Sequence, residues 1–375
     1  MFHPEIEIQI IAILISAACA LCGCFLFLRK MTMMADSITH TILLGIVLAF
    51  FVVKDLNSPA LILAAAAMGL VTVWLTELVR STKLVSEDSS IGVVFPLLFS
   101  IAIILISRFA GNVHLDTDSV LLGELAFAPF DRMELFGADV GAKAIYVGLA
   151  LLLINVVFVK LFYKELMLSS FDPVLSAAIG FSPTVLYYAL MSVVSITTVG
   201  SFEAVGSILV IAFMAGPPAC AYLLTEKLKT MLLLSLLFAL TSAVLGLQLA
   251  LQLDVSIAGM MAASLGLIFL LVLLFSPKQG LLGILLRRRQ QKRDFLMDTF
   301  ILHVNNHTTE ETELIETGLQ SIGHHLNWPA DKVRRTVRDL NARQLIYVEH
   351  GCYHLTEKGQ ARVHELMAKL YPEMV

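Results

Sequence analysis

Apolar runs of membrane-spanning length recur along this chain and leave it few folds. About nine of them lie near 8–28, 32–53, 58–79, 91–108, 143–162, 183–199, 203–223, 230–252 and 257–276. Each approaches the ~20 residues a helix needs to cross a hydrocarbon core. Lipid offers the backbone no hydrogen-bond partners, so such segments must pair their own N–H and C=O groups as helices. With 58% hydrophobic and 15% charged residues, the chain is far from a soluble protein. The fold expected is an all-α polytopic membrane protein of about nine transmembrane helices. The first run has no basic leader and no small-residue cleavage signature before Arg29, so it reads as a span rather than a removable signal. Cys19, Cys22, Cys24 and Cys220 lie within apolar runs and Cys352 in a polar tail; this is the pattern of small packing residues, not of a disulfide framework.

Basic residues set the orientation. Arg29, Lys30, Arg80, Lys83, Lys160, Lys164, Lys227 and Lys229 fall on one side, and Lys54, Arg108, Arg132 and Lys143 on the other. Arg287, Arg288, Arg289, Lys292 and Arg293 follow the last run on the richer side. An odd number of spans then puts the N-terminus outside and the C-terminus in the cytoplasm. The stretch 109–142, with Gly123, Glu124 and Pro129, reads as a long loop holding a short helix at the membrane surface.

The second run is interrupted by Asp36 and His40. At i and i+4 a helix stacks them on one face. On the expected topology His40 lies about eight residues, or roughly 12 Å, into its helix. Ionisable groups at that depth usually mark an ion or substrate path, and a carboxylate with an imidazole suits Mn, Fe or Zn. A helix cap or an interfacial polar pair is the alternative. Glu77, Glu124, Glu203, Gln248 and Gln252 are further polar residues in or near the spans, better read as boundary or packing groups.

Between the fifth and sixth runs, Lys164–Phe181 is polar yet patterned. Asp172 can cap a short helix that has Pro173 at its first position and Gly180 at its end. Such a knob suits docking of a partner, and an ordinary capped turn is the alternative.

These motifs together resemble the permeases of metal-ion ABC transporters, which import manganese, zinc or iron(II). The resemblance rests on Phe171-Asp172-Pro173 … Ala178-Ile179-Gly180, on Asp36-x-x-x-His40 followed by Leu44-Gly45, and on Val205-Gly206-Ser207-Ile208-Leu209-Val210 running to Gly216-Pro217-Pro218-Ala219-Cys220-Ala221. Glu87–Gly92 and Ser276–Gly280 also fit, and about residues 5–285 are covered. Gly216-Pro217-Pro218 departs from the pattern by one proline, which touches only local helix geometry. The resemblance implies a transport subunit, not an enzyme, in a bacterial cell membrane. It implies a homo- or heterodimer of permeases and an extracytoplasmic metal-binding protein. It also implies a cytosolic ABC ATPase seated on Phe171, Asp172, Pro173, Ala178 and Gly180. Asp36 and His40 would line the path of the transported ion, with no cofactor held permanently. These 375 residues contain no G-x-x-x-x-G-K-[ST] loop, so ATP hydrolysis would belong to another subunit.

The polar remainder, 285–375, reads as a separate domain after a membrane domain at 1–284. Helices are expected over Asp294–Asn306, Thr312–Leu326 and Pro329–Ala342. A hairpin of Leu345–Glu349 and Cys352–Leu355 follows around His350-Gly351, and Thr356–Leu370 forms a last helix. The order is that of a small α+β winged helix, and the segment resembles the DNA-binding half of iron-dependent, diphtheria-toxin-repressor-like regulators. Lys332, Arg334, Arg335 and Arg338 would be the DNA contacts; contact with the ATPase or the dimer mate is the other role. His303, His307, His324, His325, His350, His354 and His364 are dense enough for a regulatory metal site, although surface histidines explain them equally. Only His303 and His307 have suggestive spacing.

Two further functions fit part of the pattern. An ion-gradient-driven secondary metal transporter would be expected to show paired broken helices with several carboxylates, and a membrane-tethered, metal-linked transcription regulator would need far fewer spans.

Overall fold

The computed structural model describes residues 3–55, 58–109, 125–135, 138–277, 280–307 and 313–370. The chain divides into two compact units, Met1–Gly280 and Leu281–Val375. In the first, α1 (Pro4–Leu28), α2 (Thr32–Val53), α3 (Pro59–Ser81) and α4 (Glu87–Phe109) come in succession. A hairpin of β1 (Arg132–Leu135) and β2 (Ala138–Ala142) follows, and then α5 (Lys143–Leu161), α6 (Tyr163–Phe171) and α7 (Pro173–Ala178). The unit closes with α8 (Pro183–Leu224), α9 (Leu228–Leu253) and α10 (Ile257–Phe275). Among the described residues eight helices are long and apolar enough to cross a membrane.

The difference from the nine runs of the sequence has one cause. Residues 183–199 and 203–223, expected as two spans, belong to the single 42-residue α8, in which Gly206 alone leaves helical geometry (φ 76, ψ 166). A straight helix would separate Thr198 from Met214 by ~24 Å. Instead the Thr198 hydroxyl lies 3.8 Å from the Met214 sulfur. The two halves of α8 therefore run back along each other, with the reversal at Gly206. Helix α1 fits against both arms: Cys19 Sγ is 4.0 Å from Ser201 Oγ, and one turn further on a Cβ at Gly23 would collide with the Met214 carbonyl. Close backbone approach through small residues is how helices associate where lipid removes the hydrophobic driving force.

Two ends of this bundle are tied by polar contacts. At one, Glu7 in the first turn of α1 is buried and pairs with Arg132 at 3.0 Å, while Arg132 also holds Asp139 at 2.8 Å. Its hydrogen bond, with help from the Gly141 N–H, keeps the Asp139 carboxyl below the usual aspartate range. At the other end Arg29 donates to Ser169 Oγ (2.8 Å) and Ser170 Oγ (3.1 Å), fastening α6 to the end of α1. Within 109–142 the described residues form a 3₁₀ turn (Ala128–Phe130, with Pro129 buried) and the β1–β2 hairpin. Of the surface helix expected within 109–142, residues 110–124, with Gly123 and Glu124, lie outside the described residues.

The second unit holds α11 (Leu281–His307), α12 (Glu313–Glu316), α13 (Ile322–His325), α14 (Ala330–Ala342), β3 (Ile346–Glu349), β4 (Cys352–Leu355) and α15 (Glu357–Leu370). Its core is its own: Met297, Phe300, Val304, Leu340, Tyr353 and Val363 are among the residues buried together. The β3–β4 hairpin turns at His350 (φ 49) and Gly351 (φ 83), two left-handed residues as a tight primed turn demands. The helix expected over Thr312–Leu326 is broken into α12 and α13. Its middle is used differently: Gly318 bridges Cys352, and Tyr353 donates its N–H to the Thr317 carbonyl at 3.1 Å. Helix α11 begins at Leu281, well before the expected Asp294.

Candidate ion path and docking loop

Asp36 and His40 are brought together on α2. His40 Nε2 lies 3.4 Å from Asp36 Oδ1, and the two side chains are 32% and 31% exposed. Their neighbours Ser37, Thr39 and Thr41 are buried, so the pair occupies the less enclosed face of the helix. The His40 ring is flanked by two aromatics of α4: Phe95, with centroids 5.4 Å apart, and Phe99, edge-on at 5.9 Å. Apolar rings on an imidazole fix its plane and limit water around it, while the carboxylate one turn below remains an acceptor. One oxygen and one nitrogen donor on an open helix face can hold a borderline divalent ion only in part; its other ligands must come from elsewhere. Phe95 and Phe99 carry no signal in the sequence, because an aromatic residue in an apolar span is ordinary core until a histidine is found beside it.

Two of the other polar residues of the spans are ion-paired. Glu77 pairs with Arg80 at 3.0 Å and Glu203 lies 3.7 Å from Lys143. Gln248 and Gln252 are exposed on α9, and Glu124 lies outside the described residues.

The loop from Phe171 to Gly180 forms a capped helical knob. Asp172 Oδ1 accepts the Leu175 N–H at 2.9 Å, with Pro173 opening α7. Beyond Ala178 the chain leaves the helix through Gly180 at φ 99, and the Gly180 and Phe181 N–H groups return to the Ala177 and Ser176 carbonyls. On and beside this helix the surface is apolar: Phe171 is 61%, Val174 80% and Ile179 59% exposed. A rigid, short helix with an uncovered apolar face is suited to insertion into a partner's groove.

In the second unit, α14 buries Val333, Thr336 and Leu340 and turns its basic residues outward. Lys332 Nζ sits 4.1 Å over the Trp328 ring, and Arg334 pairs with Asp331 at 2.7 Å. Arg335 and Arg338 are exposed. With Arg289, Lys292 and Arg293, and with Asp331 and Asp339 among them, they line a groove of about 710 Å³ in which Asp339 pairs with Arg293 at 3.0 Å.

Comparison with known proteins follows the same division. Residues 6–276 match the model of the ABC 3 transport family. The chain is 42% identical over 353 residues to the zinc transport system membrane protein TroD of Treponema pallidum, covering 94% of this chain and 96% of that one. It is 44% identical over 282 residues to the manganese transport system membrane protein MntD of Bacillus subtilis, covering 75% and 95%. The first of these alignments reaches into the second unit. Among solved structures it resembles a chain of PsaBC from Streptococcus pneumoniae in complex with Fab, with TM-score 0.62 and 27% identity over 74% of this chain and 94% of that one.

Proposed function

This chain belongs to the ABC 3 transport family, and we propose from that footing that Asp36 and His40 line the path of its cargo, Mn²⁺ or Zn²⁺. It is a permease subunit of an ABC metal importer, a transport subunit and not an enzyme; ATP hydrolysis belongs to a separate subunit. The observation that carries the ion path is the 3.4 Å Asp36–His40 pair on a half-open face of an apolar helix. Its donors match the metals in the names of the relatives, zinc for TroD and manganese for MntD. A second permease subunit, identical or homologous, would supply further ligands to an ion passing between the two. Loose, incomplete coordination suits a pathway, since the ion must also leave.

The remaining assignments rest on the same footing. The ATPase seats on the knob from Phe171 to Gly180, whose capped and apolar surface supports a protein contact. An extracytoplasmic metal-binding protein delivers the ion at the opposite end. The two arms of α8 each cross the membrane, giving nine crossings, with the N-terminus outside and residues 281–375 in the cytoplasm. We read that second unit as a winged helix, supported by its helix and hairpin order and by the bridge of Gly318 to Cys352 at the hairpin's edge. Its basic groove favours an anionic partner, either duplex DNA or an acidic face of the ATPase.

Uptake of radioactive Mn²⁺ and Zn²⁺ by cells depending on this chain separates the importer from a gradient-driven carrier. Uptake is expected to stop when ATP is depleted and to persist when an ionophore collapses the proton gradient with ATP maintained. The reverse pattern would reject the ATP-driven reading.

A further inference from the structure

We propose that His303, His307 and Glu316 form a divalent transition-metal site in the Leu281–Val375 unit, distinct from the Asp36–His40 pair. His303 and His307 stand one turn apart at the end of α11, with ring centroids 4.7 Å apart. The short helix α12 returns Glu316 to them: its Oε2 is 2.9 Å from His307 Nδ1. The His303 ring is anchored by Nε2, 3.1 Å from the Glu316 backbone oxygen. One ligand atom from each of the three side chains lies within 4.8 Å of the others. Bonds of ~2.0–2.2 Å to a shared ion place ligand atoms about 3–3.5 Å apart, so modest rotation of the side chains closes the set.

The environment favours ligation over a surface coincidence. His307 and Glu316 are 28% and 22% exposed, enough for an ion to exchange and enclosed enough to fix the donors. The two imidazoles and the carboxylate converge here, and an ion would give all three a common partner. That donor set takes Zn²⁺, Mn²⁺ or Fe²⁺ ahead of Mg²⁺, Ca²⁺ or Cu(I), which is also the class of the proposed cargo. His325 adds a neighbouring imidazole, its ring 6.4 Å from that of His303. Three protein ligands leave further coordination positions to water.

The site also has a mechanical consequence. An ion would tie the end of α11 to Glu316, and Thr317, the next residue, accepts the Tyr353 N–H of β4. Metal would therefore brace the edge of the hairpin against α11, coupling occupancy to the order of the unit. That this reports cytosolic metal to the importer rests on the proposed function above; the existence of the site does not.

The test is made on the full chain purified in detergent, carrying Asp36→Asn and His40→Ala so that the first pair contributes nothing. Titration with Co²⁺, followed by visible d–d absorption, is expected to load one ion per chain, displaced by Zn²⁺. His303→Ala with His307→Ala should abolish that band, and Glu316→Gln should weaken Co²⁺ binding at least tenfold. Fluorescence and melting, with Trp328 as the reporter in this unit, check folding; should the alanine variant unfold, His307→Gln takes its place. An unchanged band in the folded triad variants, or no Co²⁺ bound by the parent, would overturn the proposal. Because the readout is binding, it stands apart from the uptake experiment, which alone decides the importer reading.

Discussion

Gly206 holds the reversal of α8 with φ 76 and ψ 166, a combination open essentially to glycine alone. An alanine there must either adopt a conformation costing ~1–3 kcal/mol or shift the two arms that grip α1. Gly206→Ala is accordingly expected to lower the melting temperature of the purified chain, and an unchanged melting curve would show that the turn tolerates a side chain. The sequence reveals the glycine but not what it does. Hydropathy dips at 200–202 and suggests the break there, yet helical geometry carries through to 205. Asp36 and His40 are the opposite case. Their spacing alone places them on one face, because i and i+4 coincide in any α-helix. The aromatic flank of His40 comes from α4, and contacts between helices leave no trace in either segment.

The short helix α7 is legible as an element because its caps are written locally, in Asp172, Pro173 and Gly180. Removing the Asp172 carboxylate strands the Leu175 N–H, so Asp172→Ala should cost the knob about 1 kcal/mol. Val174→Asp should act more strongly on association, since it puts a charge on the most exposed apolar position of the helix. Both are expected to reduce the ATPase recovered with the tagged permease while the membrane level of the permease stays the same. Full recovery with Val174→Asp would place the contact outside this knob. The second unit shows where local signals fail. Thr312–Leu326 has a helical pattern, but Thr317–Leu319 is drawn to the edge of the hairpin by the hydrogen bonds that β4 would otherwise leave open. Pairing across the unit outweighs local propensity there.

Over the whole molecule, one chain joins a lipid-facing bundle to a polar unit with a separate core. Hydropathy separates them readily, because lipid tolerates no unpaired backbone and water no uncovered apolar helix. The identity of partners is less legible, since an interface is built from ordinary surface residues and becomes recognisable only by what it leaves exposed. The proposed ion path rests on the polar pair of α2, half-open and flanked by Phe95 and Phe99. Initial rates of Mn²⁺ and Zn²⁺ uptake at limiting metal, compared among the parent, Asp36→Asn and His40→Ala, test that role most directly. Each variant is expected to fall at least about tenfold, or ~1.4 kcal/mol in the barrier, while still reaching the membrane and binding the ATPase. Uptake at the parental rate by either variant, at equal membrane level, would contradict the assignment of the ion path.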